Sequence, residues 1–103
     1  MVGFYLDDTR EPPNNGEWVV ARNFEEAILA YARNRLVIST LSLDHDLGEI
    51  ATGLDFLRWL ERNYPNDLLD KAIIVHSANP VGKARMQNFI SDFIRSNPYG
   101  YTT

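Results

Sequence analysis

LVISTLSLDHDLG, Leu36 to Gly48, decides how this chain is read. An apolar, β-branched run breaks abruptly on three adjacent titratable groups, Asp44, His45 and Asp46. Residues of that kind suit a pleated, covered surface, so LVISTLSL predicts a central strand. Strong acids seldom end a buried strand without a use for their charge. MVGFYLDD, residues 1–8, repeats the pattern: it is apolar on nearly every position, as in a strand covered on both faces, and ends at Asp7 and Asp8. AIIVHS, residues 72–77, is a third strongly apolar strand, running into His76 and Ser77.

The intervening segments supply helices. TREPPNNGE is rich in Pro, Asn and Gly without a period and reads as a loop. WVVAR predicts a short strand, and Asn23 with Glu26 three places on predicts a helix start. Phe24, Ala27, Ile28, Tyr31 and Ala32 then form one apolar stripe. Thr52 and Asp55 open a second helix with a face of Leu57, Leu60 and Tyr64, which Pro65 ends. Asn79 as N-cap and Pro80 at the first helical position open a third, with its stripe at Met86, Phe89, Ile90, Phe93 and Ile94. Alternating strands and helices argue for a parallel sheet, and right-handed crossovers gather the carboxyl ends of its strands on one edge, where open α/β sheets bind ligands.

Composition narrows the field. A chain of 103 residues fits one domain, residues 1–103, able to bury roughly two thirds of its unfolded surface. It has no cysteine, which removes disulfides, thiolate metal sites and a thiol nucleophile, and suits a reducing cytoplasm. No secretory segment or run of about 18 apolar residues is present, so a soluble, cytoplasmic protein without a membrane partner is expected. A net charge of -4 lacks the basic footprint that extended nucleic acid requires.

If the three acid-ended strands are neighbours, a spacing of about 4.8 Å brings Asp7, Asp8, Asp44, His45, Asp46, His76, Ser77 and Asn79 within roughly 10 Å. Two carboxylates about 5 Å apart repel by about 3 kcal/mol at an effective dielectric near 20, so such a cluster calls for a cation or for altered protonation. Mg²⁺ or Mn²⁺ would suit the oxygen donors. Two histidines could supply a base for water and an acid for a leaving oxygen.

Plainer readings exist for each residue. Adjacent aspartates often serve as turn or cap residues; His45 fits an exposed loop and His76 a hydrogen-bonded core position. Ser77 reads as a strand-end hydroxyl or a phosphoryl contact. The amides of Val81, Gly82 and Lys83 start a helix whether or not they face an anion. Gly82-Lys83 is not a P-loop, since Ser77 stands where its first glycine belongs and Ala84 follows the lysine. Arg10 either reaches over the pocket or solvates the loop. Trp18, Trp59, Phe89 and Phe93 follow strand and helix periods and read as core.

LDDTREPP, ISTLSLDHDLG with Thr52-Gly53 after it, and VHSANPVGKARM together resemble the cyclic-phosphate-processing receiver domains over nearly the whole chain. The resemblance implies a trimmed receiver-like (flavodoxin-like) fold, three-layer α/β/α, with a short parallel sheet in the order 2-1-3-4. A loop replaces the helix after the first strand. The fifth strand and its phosphoryl-sensing lysine are expected to be missing, with Lys83 the nearby substitute, and the bare sheet edge could pair with a second copy.

For the site, the resemblance implies Asp7 and Asp8 as the metal-holding pair and Asp44 as the phosphoacceptor position and third ligand. Ser77 becomes the strand-end hydroxyl. His45, Asp46, His76 and Asn79 match the residues that set the family apart from signalling receivers. The expected function is hydrolysis of a cyclic phosphate on a nucleotide or ADP-ribose-type small molecule, assisted by Mg²⁺ or Mn²⁺. Asp44, His45, Asp46 and His76 would be catalytic, and Arg10, Thr52, Ser77, Asn79 and Lys83 would bind substrate. The alternatives are a switch phosphorylated on Asp44 and a protein that sequesters cyclic nucleotides.

Overall fold

A computed structural model describes residues 2–98. Met1 and residues 99–103 lie outside that range, as do the ends of the domain expected over 1–103. Eight elements follow one another: β1 (Val2–Leu6), β2 (Glu17–Ala21), α1 (Phe24–Asn34), β3 (Ile38–Leu43), α2 (Gly53–Asn63), α3 (Asp67–Asp70), β4 (Ala72–Val75) and α4 (Pro80–Ser96). The strands form one all-parallel sheet ordered β2-β1-β3-β4, the receiver-like arrangement.

The expected caps start the three long helices. The Asn23 side chain accepts from the Glu26 amide at 2.8 Å. Thr52 and Asp55 close a reciprocal capping box, with the Thr52 amide donating to Asp55 at 2.8 Å. The Asn79 side chain accepts from the Gly82 amide at 3.1 Å, with Pro80 following as expected. Each of these bonds satisfies an amide that the helix leaves without a partner.

The connections β2 to β3 and β3 to β4 cross the sheet in the same direction, so right-handed crossovers set α1 and α2 on one face. There α2 packs between α1 and α4. Phe4 stacks on Phe56 at 5.4 Å and meets Tyr31 edge-on at 5.4 Å, within a core that includes Leu6, Leu41, Leu57, Leu60 and Met86. The β1 to β2 connection runs the other way and would carry a helix to the opposite face. It is the irregular segment 7–16, whose Pro12-Pro13 and Asn14-Asn15-Gly16 oppose a helix. Of three α/β/α layers, the described residues thus build the sheet and one helical layer. Trp18 covers part of the second face. Its indole donates to the Pro13 carbonyl at 3.0 Å and lies where a Gly3 side chain would stand, 2.5 Å from a Cβ built there.

Three details depart from the expected pattern. β3 begins at Ile38, because the Val37 amide closes the end of α1 on the Asn34 carbonyl and leaves Leu36 88% exposed. Ile94 is exposed, so the α4 stripe is narrower than its spacing suggested. The short α3 has no periodic signature. It is held by Asp67, a buried carboxylate that accepts from the Tyr31 hydroxyl at 2.7 Å and from both ends of the Arg35 guanidinium at 2.8 and 3.0 Å. Burial and that carboxylate push the Tyr31 phenol far above its usual range. Lys71 donates to the Arg35 and Ile38 carbonyls beside it, and burial lowers its pKa. Among the described residues no helix is long and apolar enough to cross a membrane.

Phe56 joins β1, α1 and α2, so Phe56→Ala is expected to cost about 3–5 kcal/mol, the range for a truncated core aromatic. Urea unfolding of the two proteins measures it.

Candidate functional site

Three site residues are placed by the sheet itself. Beyond the last strand residues the parallel ladder continues for one bond each: Asp7 N–H to the Ala21 carbonyl at 3.2 Å, Asp44 N–H to Leu6 at 2.9 Å, and His76 N–H to Leu43 at 3.0 Å. The backbone of each residue is thereby anchored before its side chain makes any contact. One ligand atom each from Asp7, Asp44 and His76 lies within 4.8 Å of the other two.

Asp7 is fully buried. One carboxylate oxygen accepts from the Thr9 and Arg10 amides, both at 2.9 Å, and the other meets His76 Nε2 at 3.0 Å. Burial alone would raise its pKa; the two amides and His76 outweigh that and hold the carboxyl below the usual carboxylate range. His76 lies flat on the Tyr5 ring, centroids 4.6 Å apart and planes 4° apart, and its Nδ1 meets the Ser42 hydroxyl at 2.7 Å. Burial first, then the Asp7 charge, raises the Tyr5 pKa.

A second group forms beside it at the start of α4. His45 Nδ1 meets Asp46 at 2.8 Å, and Asp46 accepts from the Asn79 side-chain amide with both oxygens at 3.3 Å. Those two bonds, that from His45 first, lower the Asp46 pKa. The His45 ring fills the space a Gly82 side chain would need, 2.4 Å from a Cβ built there. Among the described residues His45 Nε2 has no hydrogen-bond partner. Ser77 accepts from the Asn79 amide at 3.1 Å, and Lys83 lies half-buried in the first turn of α4.

Other expected site residues have different surroundings. Asp8 is outside the three-residue group and lies against Gly48, a turn residue at φ 68° whose added Cβ would come 2.9 Å from the Asp8 carboxylate. The Thr52 hydroxyl is engaged by the capping box. Arg10 contributes its amide to Asp7, while its exposed side chain has no bond among the described residues. Glu49 accepts from the Phe24 amide at 2.8 Å and so caps α1.

Sequence reasoning missed two residues. Arg22 donates to the Asp7 carbonyl at 3.1 Å and to the Arg10 carbonyl, and pairs with Glu11 at 3.1 Å, tying the loop to the sheet edge. Nothing in its local pattern marks it. Ser42 had a signal: a strand alternates faces with period two, so Ser42 shares a face with Asp44.

A family model for the cyclic-phosphate processing receiver domain matches residues 2–92. The chain belongs to that family. No curated protein and no solved structure matches it. In this receiver domain the strand-end carboxylates and histidines stand on the sheet edge that the topology reserves for ligands. Two carboxylates and one imidazole form a donor set acceptable to Mn²⁺, whereas Mg²⁺ would engage the carboxylates and keep water in its other positions.

Two outcomes test this geometry. A Cβ on Gly53 would fall 1.9 Å from the Asp44 carbonyl oxygen, so Gly53→Ala must displace the Asp44 backbone, at an expected cost of about 1–3 kcal/mol in urea unfolding. Because the Asp7 pKa is depressed on folding, the stability it contributes is present above the ordinary carboxylate value and lost as pH falls through the depressed one. Asp7→Asn should therefore flatten the fall in urea midpoint below about pH 4.

Proposed function

We propose that this receiver domain hydrolyses a cyclic phosphate ester on a nucleotide or ADP-ribose-type small molecule. The observation that carries the reading is the approach of Asp7, Asp44 and His76 to within 4.8 Å, beside a second histidine already paired with a carboxylate. A phosphoacceptor switch needs no such paired histidine, and a sequestering protein needs no acidic pocket of this tightness.

In this reading Asp7, Asp44 and His76 hold a divalent cation, which when bound neutralises charge on the phosphoryl oxygens. His45 is the proton-transfer residue. Asp46 takes one ring nitrogen and fixes the ring, which leaves Nε2 to accept a proton from water and return it to the leaving oxygen. Asn79 holds Asp46, while Ser77, Lys83 and the Val81 amide at the start of α4 receive the phosphate's charge. Arg10, exposed on the loop after β1, would add its charge to the same anion. His76, which meets Ser42 with Nδ1 and Asp7 with Nε2, would offer the cation its Nε2. Thr52 and Asp8 support the site through α2 and the Gly48 turn.

The test is incubation with a panel of cyclic mononucleotides, cyclic dinucleotides and ADP-ribose cyclic phosphate, with Mn²⁺, with Mg²⁺ and with chelator, products being resolved by phosphorus NMR. Turnover of at least one compound, lost with chelator and reduced about 10²–10⁴-fold in His45→Ala, is expected. Unchanged substrate throughout overturns the hydrolase. Binding without turnover indicates the sequestering protein, and a stable acyl phosphate on Asp44 from a small phosphodonor indicates the switch.

A further inference from the structure

We infer that Ser42 is a positioning residue for His76, setting which ring nitrogen faces Asp7 and the metal group; its consequence for turnover rests on the hydrolase reading, its geometry does not. Ser42 occupies a middle strand, with Tyr5 and Ile74 as its register neighbours in β1 and β4. It is 6% exposed, too enclosed to meet a substrate. Its hydroxyl reaches one side chain, His76, at Nδ1 and 2.7 Å.

The ring is constrained on three sides. Tyr5 fixes its plane, Ser42 takes Nδ1 and Asp7 takes Nε2. A half-turn about the ring bond would put carbons where both nitrogens now stand and lose both bonds. Asp7 accepts from two backbone amides on one oxygen and, as an acceptor, meets Nε2 with the other, so Nε2 carries the hydrogen in this arrangement and Nδ1 accepts from the Ser42 hydroxyl. A hydroxyl can equally accept. Were a cation held by Asp7, Asp44 and Nε2, the hydrogen would sit on Nδ1 and Ser42 would accept it. Alanine offers neither role and would leave a half-buried ring nitrogen unpaired, whereas no buried side-chain nitrogen or oxygen is now without a partner among the described residues. Threonine retains both roles.

The experiment is long-range proton–nitrogen NMR of the His76 ring in the metal-free wild type, Ser42→Ala and Ser42→Thr, followed by titration with Zn²⁺ as a diamagnetic probe and calorimetry with Mn²⁺. The wild type should show hydrogen on Nε2 alone, moving to Nδ1 when Zn²⁺ binds. Ser42→Ala should move the Nδ1 resonance to the position of an unbonded imidazole nitrogen and bind Mn²⁺ about 10–100-fold more weakly, the usual effect of losing a ligand's outer hydrogen bond, and Ser42→Thr should restore both. A Ser42→Ala ring spectrum and Mn²⁺ affinity equal to wild type overturn the inference. So does a wild-type ring that already averages its nitrogens, which decides the matter even if the alanine variant does not fold. A wild type that turns over no cyclic phosphate but behaves as described in the ring spectra removes the hydrolase and leaves the role of Ser42 standing.

Discussion

The molecule depends on where a parallel ladder stops. In β1, β3 and β4 the last strand residue is followed by one more amide that still bonds to the neighbouring strand, and the residues carrying those amides are Asp7, Asp44 and His76. Their polar side chains thus inherit the rigidity of the sheet while standing just beyond its apolar cover. Such placement limits the entropy lost when the groups act together, because the backbone has already been ordered by folding. Loops alone would hold the same residues with less precision.

Gathering charge at that rim raises an electrostatic problem that the surroundings answer unevenly. Asp7 is buried yet kept ionised by two amides and an imidazole. Asp46 is exposed and stabilised by His45 and Asn79. Two glycines make the crowding possible: Gly53 lets α2 approach the Asp44 carbonyl, and Gly82 lets α4 lie against the His45 ring. The histidines are thereby distinguished. One is held on both sides, and one keeps a nitrogen available.

Much of this was legible in the residues because the signals are local. Val2–Leu6 and Ala72–Val75 are short apolar runs, and Asn23, Thr52 and Asn79 cap helices by bonds to the next turn. The breaks at Asp7, Asp44 and His76 mark strand ends, and parallel topology gathers them on one edge. What could not be read depended on distance. Arg22 reaches Asp7 across the loop, Ser42 meets His76 only through strand pairing, and α3 exists because Asp67 is held by residues of α1. Asp8 and Asp7, adjacent in sequence, separate because strand alternation turns consecutive side chains to different sides. The two histidines looked interchangeable until their partners were known.

Away from the rim, Asp67 has its carboxylate satisfied by Tyr31 and Arg35, with Tyr64 stacked on the guanidinium at 4.3 Å. That assembly is closed: its charge is spent on the protein's own groups. Among the described residues the domain therefore has two acidic centres of opposite character, one inward-looking and one facing outward. Sequence drift can act on them separately, reshaping the outward rim while the domain's durability stays anchored elsewhere.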